Sequence, residues 1–440
     1  MQFKTKIAIV VFSTLIAFYA IVGSFISKSS QVVARGSQYG QLQIFDEVLG
    51  HIIRDYVEQP DLEKVRIGSL RGLAEGLDPY SAYLTPEQVK QYDPKAPKGE
   101  TGLILSKVGG YAYIVTVLKG SPAEQAGIRG GDFIEYVGKV PSRDLSLYDI
   151  EQLLNGQPGT TVDIRILHQG VPHTIKLGRA RIAQPAVESR IEETGVGYIK
   201  ITSLVAGKST EARTQLSDLV SKGAQRIVLD LRGAANGTLQ EAIAVANLFI
   251  GSGPLARVIG KGGKETDVFN ADPDKVVFNG PLAVVTDRST CGPAEIIAAA
   301  VRDQKRGEVV GERTFGAGSE QQMFSLSDGG ALLITTAKYA PSSGKPFMEE
   351  PINPTIKVER PTETEVVLPD GDDDDAEDRA DQPQTTLPKP EQPAEDVQLK
   401  KAVEVVKQAT ARSQGAARRT AANIKPPVSE STYFEREIAA

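Results

Sequence analysis

The stretch Leu282-Ala283-Val284-Val285, then Ser289-Thr290-Cys291-Gly292-Pro293-Ala294-Glu295, then Ile296-Ile297-Ala298-Ala299-Ala300-Val301 carries the reading of the fold. An apolar run without alternation marks a strand covered on both faces, and a Gly-Pro turn followed by a helix-length apolar run marks a strand-to-helix connection. The same alternation repeats upstream. Val196–Ile201 and Ile227–Leu231 read as strands, and Ala212–Val220 and Leu239–Phe249 read as helices. Strand and helix in turn predict an α/β layout with a mostly buried sheet.

From Gly99 to about Arg181 the period shortens. Leu103–Val108, Tyr113–Val117, Phe133–Val137, Val162–Leu167 and Ile175–Leu177 read as strands, separated by Gly109-Gly110, Gly130-Gly131 and Pro158-Gly159. One helix is signalled among them, capped by Ser146 with Asp149 three residues on and an apolar face of Leu147, Ile150, Leu153 and Leu154. Before this region, Leu42–Tyr56 and Leu62–Leu77 repeat apolar residues at helical spacing, and Thr85-Pro86 opens a further helix.

At the N-terminus, Lys4 and Lys6 precede an uncharged apolar run from Ile7 to Ile26, long enough to cross a bilayer core of ~30 Å as one helix. A cleaved signal peptide is the competing reading, but its apolar region is normally ~7–15 residues, and no good small-residue cleavage site follows. The positive short end predicts a cytoplasmic stub with the bulk of the protein outside the cytoplasm, in a bacterial periplasm or at the cell exterior. After Pro361 the run Asp370-Gly371-Asp372-Asp373-Asp374-Asp375 and a proline-rich stretch to Pro393 read as a solvated, disordered linker. The last thirty residues, with Arg412, Arg418 and Arg419, read as a mobile tail.

Composition excludes several classes. The 440 residues carry a formal net charge of -6, with basic residues dispersed, which argues against nucleic acid as a partner. One cysteine, Cys291, forbids an intramolecular disulfide, and three histidines make a His/Cys metal cluster implausible. No metal and no cofactor are expected.

Within 99–181, Thr101-Gly102-Leu103-Ile104, Gly120-Ser121-Pro122-Ala123-Glu124-Gln125-Ala126-Gly127-Ile128 and Gly131-Asp132 resemble a PDZ domain. That resemblance implies capture of protein C-termini: the peptide adds as a strand, and backbone N–H groups of Gly102, Leu103 and Ile104 take its carboxylate. Leu103, Leu105, Ile150 and Leu154 would line the pocket for an apolar last residue. The competing reading makes these side chains the small domain's own core.

Beyond Ala183 the resemblance widens to the carboxy-terminal processing proteases, also called tail-specific proteases. It rests on Gly197-Tyr198-Ile199-Lys200-Ile201, Val228-Leu229-Asp230-Leu231-Arg232, Ala244-Val245-Ala246-Asn247-Leu248-Phe249, the Glu295–Ala300 helix, Val310-Gly311-Glu312-Arg313-Thr314-Phe315-Gly316 and Lys338-Tyr339. The resemblance implies a serine nucleophile in a Ser-Ala-Ser-Glu motif and a lysine base in a Phe-Gly-Lys-Gly motif. Aligned on Glu295 and on Phe315-Gly316, those places are held by Gly292 and Ala317, neither of which can attack a carbonyl or carry a proton. Gln321 matches the glutamine that orients the lysine. The loop after Arg232, Gly233-Ala234-Ala235-Asn236-Gly237, departs from the family's Asn-Pro-Gly-Gly type.

The expected organisation is an α/β (α+β) multidomain protein. It comprises a stub and single transmembrane helix (1–30), a helical unit (31–98), a PDZ-like partly open β-barrel (99–181), a protease-like core with a mixed sheet (182–360), an acidic linker (361–396) and a short helix with tail (397–440). The expected function is that of an inactive, membrane-anchored relative that binds apolar-ended C-termini through the PDZ groove and a vacant cleft, and regulates or scaffolds an active homologous protease. Homo-oligomer formation stays open. The alternative is a working serine-type endopeptidase that cuts near substrate C-termini by a rearranged site, with Cys291, Lys261, Lys264 or Lys338 as stand-ins.

Overall fold

The computed structural model describes residues 40–92, 98–360, 387 and 395–422. The expected membrane segment, most of the acidic linker and the last 18 residues, 423–440, lie outside these. Among the described residues no helix is long and apolar enough to cross a membrane. The described residues divide into two compact units, one up to Leu70 and one from Arg71 onward. In the first, helix α1 (Gly40–Asp55) exposes Leu42, Ile44, Phe45, Val48, Leu49 and Ile53. Helix α2 (Leu62–Glu75) runs across the division.

The second unit opens with strand β1 (Ala82–Leu84) and helix α3 (Pro86–Gln91). Thr85 caps α3 in a reciprocal box with Gln88, the arrangement that Thr85-Pro86 predicts. The expected helical unit is thus interrupted, because β1 pairs antiparallel with a distant strand, β16 (Ala331–Ala340).

Residues 99–181 form a sheet in the order β2-β3-β4-β6-β7, with the two-residue β5 (Val140–Pro141) beside β4. The strands are β2 (Leu103–Val108), β3 (Tyr111–Val117), β4 (Phe133–Val137), β6 (Thr161–His168) and β7 (Val171–Gly178). Two helices close the core: α4 (Pro122–Gln125), capped by Ser121, and α5 (Leu147–Leu154), capped by Ser146. Gly102 sits at φ 89°, and a Cβ there would fall 2.1 Å from the Ser121 Cβ, so no side chain is tolerated.

The remaining core is a six-stranded sheet in the order β17-β14-β13-β10-β9-β8. Four neighbouring pairs are parallel, and the edge strand β8 (Glu188–Glu193) is antiparallel to β9 (Val196–Lys200). The parallel strands β10 (Arg226–Asp230) and β13 (Leu282–Thr286) are almost wholly buried, as unbroken apolar runs require. One face is covered by α6 (Lys208–Ser221), α7 (Leu239–Ala246) and α8 (Pro293–Asp303). The other is covered by α9 (Val397–Ala422) through Leu399, Ala402, Val403 and Val406.

Helix α9 runs on beyond Val397–Val406, the short terminal helix that the family resemblance implies. Its continuation is rich in alanine, glutamine and arginine, all strong helix formers. A second sheet in the core, β1-β16-β11-β12 with β15 (Ser319–Ser325) on β16, includes the hairpin of β11 (Pro254–Ile259) and β12 (Glu265–Asn270). Strands β14 (Glu308–Gly311) and β17 (Ile356–Lys357) complete the first sheet.

Candidate functional site

Strand β13 delivers the backbone to the turn Asp287–Gly292. Thr290 Oγ1 donates to the Leu231 carbonyl at 3.0 Å, the Cys291 N–H to Ala234 at 2.9 Å and the Phe315 N–H to Thr290 at 2.9 Å. The turn is therefore tied both to the loop after β10 and to the loop that carries Ala317. Gly292 caps α8 at φ 59°, ψ -122°, a conformation costly for any residue with a Cβ. This is the tight strand-to-helix turn on which nucleophiles of α/β hydrolases stand. A Cβ built on Gly292 would enter open space, its nearest neighbour the Ala317 carbonyl oxygen at 4.0 Å. The Ala317 backbone thus lies beside position 292.

Glu295 joins the two loops. Its fully buried carboxylate accepts from the N–H groups of Gly292 (2.9 Å), Ala317 (2.9 Å) and Gly316 (3.0 Å) and from the Thr314 hydroxyl. Burial pushes this carboxyl up to about 7 despite these four donors. In the sequence Glu295 serves only to register the motif. Its part as a bonding centre is invisible there, since its partners on the second loop lie 19 to 22 positions away.

The space beside Ala317 is filled. Tyr113, Val115, Phe133 and Leu167, from one face of the sheet of residues 99–181, form a single apolar cluster with Cys291 and Ala317. Tyr113 stacks on Phe315 at 5.7 Å between ring centroids and meets the edge of Phe133 at 5.3 Å. At Ala317 the expected vacant cleft is occupied: alternation along β3 gives it two apolar faces, and the outer one is buried against Cys291 and Ala317.

Gln321, expected to orient a lysine, donates instead to Ser319 Oγ at 2.8 Å and Thr335 Oγ1 at 3.2 Å; Thr335 Oγ1 in turn donates to Asp78 at 3.1 Å. Arg232 is committed to Asp230, to Asp396 ahead of α9 and to Gln398. Of the stand-in bases, Lys338 pairs with Glu349 at 3.1 Å, and Lys261 and Lys264 lie in the exposed β11–β12 turn. Cys291 is buried, and burial together with the nearby Glu295 carboxylate holds its thiol well above its ordinary range, so no thiolate forms at neutral pH. Iodoacetamide at pH 8 is expected to leave the native protein unmodified and to label Cys291 only after denaturation, as intact mass would read.

In the other candidate site, Leu105, Ile150 and Leu154 are buried in the domain's own apolar cluster, as the competing reading had it, while Leu103 and Ile104 are half-exposed. Ile104 and Leu105 pair with Thr116 and Ile114 of β3 across a bulge, and the Gly102 carbonyl accepts from the Leu118 N–H. The outer edge of β2 pairs with no other strand among the described residues.

An α/β core with a nucleophile-type turn, joined to a PDZ-type domain, defines a serine-type peptidase scaffold. A family model described as Peptidase family S41 matches residues 195–358, and a PDZ domain model matches residues 113–167. The sequence is 30% identical over 380 residues to the carboxy-terminal processing protease CtpA of Bacillus subtilis, covering 84% of this protein and 81% of that one. It is 29% identical over 360 residues to the carboxy-terminal-processing protease of Bartonella bacilliformis, covering 78% and 82% respectively. A solved structure of the photosystem II D1 C-terminal processing protease shares the fold, with a TM-score of 0.62, 24% identity, and coverage of 71% of this protein and 86% of that one. The protein belongs to the carboxy-terminal processing protease family.

Proposed function

We propose that this protein is a catalytically inactive member of its family, anchored in a membrane by residues 7–26 with its bulk outside the cytoplasm. It works by binding apolar-ended protein C-termini at its PDZ domain, and so regulates or scaffolds an active homologous protease. The observation that carries the reading is an intact strand-to-helix turn that holds Gly292, with the Ala317 backbone beside it, where the family's nucleophile and base would stand. Apolar packing at position 317 adds support, because Tyr113, Val115 and Phe133 crowd the place where a base would stand. Fold and chemistry are separable, and the scaffold stands without the reaction. Lys4 and Lys6 ahead of the apolar run support the orientation.

The test is binding of a short peptide ending in Leu-Ala-Ala to the full-length protein in detergent, read by fluorescence anisotropy. The free acid is expected to bind saturably and its amidated twin about tenfold or more weaker, the factor carried by hydrogen bonds to a charged group. Equal binding of acid and amide would remove the carboxylate-capture reading.

A further inference from the structure

The edge of β2 on which a peptide would add is covered by the protein itself. Tyr80 packs against the inner apolar cluster of the PDZ domain, which holds Leu105, Ile114 and Ile150, and also against the outer cluster of Tyr113, Val115 and Phe133. A side chain that touches both faces of one edge strand wraps around that edge. Its hydroxyl lies 3.2 Å from Ser106 Oγ, in the middle of β2.

Neighbouring residues of the same segment grip both walls of the groove. On the β2 side, Glu75 lies 3.7 Å from Lys107, whose Nζ also donates to the Leu145 carbonyl. On the α5 side, Gln88 donates to Asp149 at 2.6 Å, Arg71 lies 3.5 Å from Asp149, and the Tyr92 ring sits 6.3 Å from that of Tyr148. The segment is held from behind as well. Asp78 accepts from the N–H groups of Tyr80 and Ser81 and from Thr335, and β1 is paired to β16.

We propose that residues 75–92 act as an internal competitor for the PDZ groove, with Tyr80 as the anchor that a bound peptide must displace. The inference rests on the PDZ-binding reading above and adds its regulation. A peptide strand pairing with β2 needs the outer-edge N–H and carbonyl groups near Ser106 and Lys107, the level at which Tyr80 crosses. The entry end, Gly102 to Ile104, precedes the level at which the Tyr80 hydroxyl meets Ser106. Short ligands therefore reach the carboxylate loop, and longer ones meet Tyr80. Apparent affinity is lowered by the fraction of molecules in which Tyr80 is seated.

The experiment uses a longer peptide, ending in Leu-Ala-Ala and able to pair along β2 as far as Ser106 and Lys107, together with its amide, on the natural protein, on Tyr80→Phe and on Tyr80→Ala. Removing only the hydroxyl contact to Ser106 should tighten binding of the free acid about three- to tenfold, and removing the ring should tighten it further. Hydrogen exchange of residues 78–84 should rise when peptide is added to the natural protein. Tyr80→Phe keeps the ring packing, so it reports even if Tyr80→Ala fails to fold. If acid binds better than amide but with the same affinity in the natural protein and Tyr80→Phe, and exchange at 78–84 does not rise, the competitor is overturned while the PDZ reading stands. If acid and amide bind alike, or neither binds to any form, both readings fall.

Discussion

A variant with Gly292→Ser together with Ala317→Lys is expected to cut an unstructured, apolar-ended reporter protein, while the natural protein leaves it intact. The backbone at 292 already has the tight-turn geometry a nucleophile needs, and a Cβ there meets nothing nearer than the Ala317 carbonyl at 4.0 Å. A lysine at 317 would sit among Cys291, Val115 and Phe133, a dry surrounding that favours the neutral amine able to take the serine proton. Two effects oppose it. Serine at φ 59° costs about 1–3 kcal/mol of backbone strain, and the lysine stem must displace part of the apolar cluster.

Recovered activity should therefore be partial. A gain on the order of 10²-fold over the natural protein is expected, against the roughly 10⁶-fold that an intact nucleophile and base contribute in a well-studied serine protease. Each single substitution should stay at background, because a hydroxyl without a base, or a base without a hydroxyl, does not make the unit. Mass spectrometry of the reporter reads the result. Robust cutting by the natural protein would sink the proposal of inactivity, and the rearranged-site alternative would then need a nucleophile other than the buried Cys291.

Much of this architecture is legible in the sequence because its signals are local. Ser146 with Asp149 and Thr85 with Pro86 each mark a helix start within four residues, and each forms the expected cap. The buried strands β10 and β13 announce themselves as unbroken apolar runs. Local signals fail where pairing is distant. β1 is three residues long and takes its identity from β16, while β12 and β15 are mostly exposed and show no apolar period to read.

The site divides the same way. Motif spacing finds Gly292 and Ala317, but the plug of Tyr113 and Phe133 and the edge-wrapping Tyr80 arise from tertiary packing between segments that share no motif. The full length of α9 escapes the period for another reason: beyond Val406 the sequence offers alanine rather than large apolar residues, so the apolar repeat fades while helix propensity persists.

Glu295→Ala is expected to lower stability by about 3–5 kcal/mol, the range for removing one partner of a buried charged network. Three backbone N–H groups and the Thr314 hydroxyl would lose their acceptor, and both loops around 292 and 317 hang on that carboxylate. Glu295→Gln is not a mild substitute. An amide nitrogen would face either the N–H pair of Gly292 and Ala317 or that of Gly316, donor against donor.

The pH dependence isolates the same group. Burial raises the folded carboxyl to about 7 from an ordinary 4.5, so the folded protein holds a proton that the unfolded state has released. Its contribution is fully present below about 4.5 and is lost as pH rises through about 7. At 1.36 kcal/mol per pH unit the span corresponds to about 3 kcal/mol. The stability gap between the natural protein and Glu295→Gln, measured by urea unfolding, should therefore be larger at pH 5 than at pH 8. Parallel pH profiles for the two proteins would show that another group titrates. A gap that widens at low pH would mean the scaffold retains, at a turn without a nucleophile, a buried carboxyl tuned to neutral pH. That carboxyl's work is then to hold the two loops together, which a binding protein needs as much as an enzyme does.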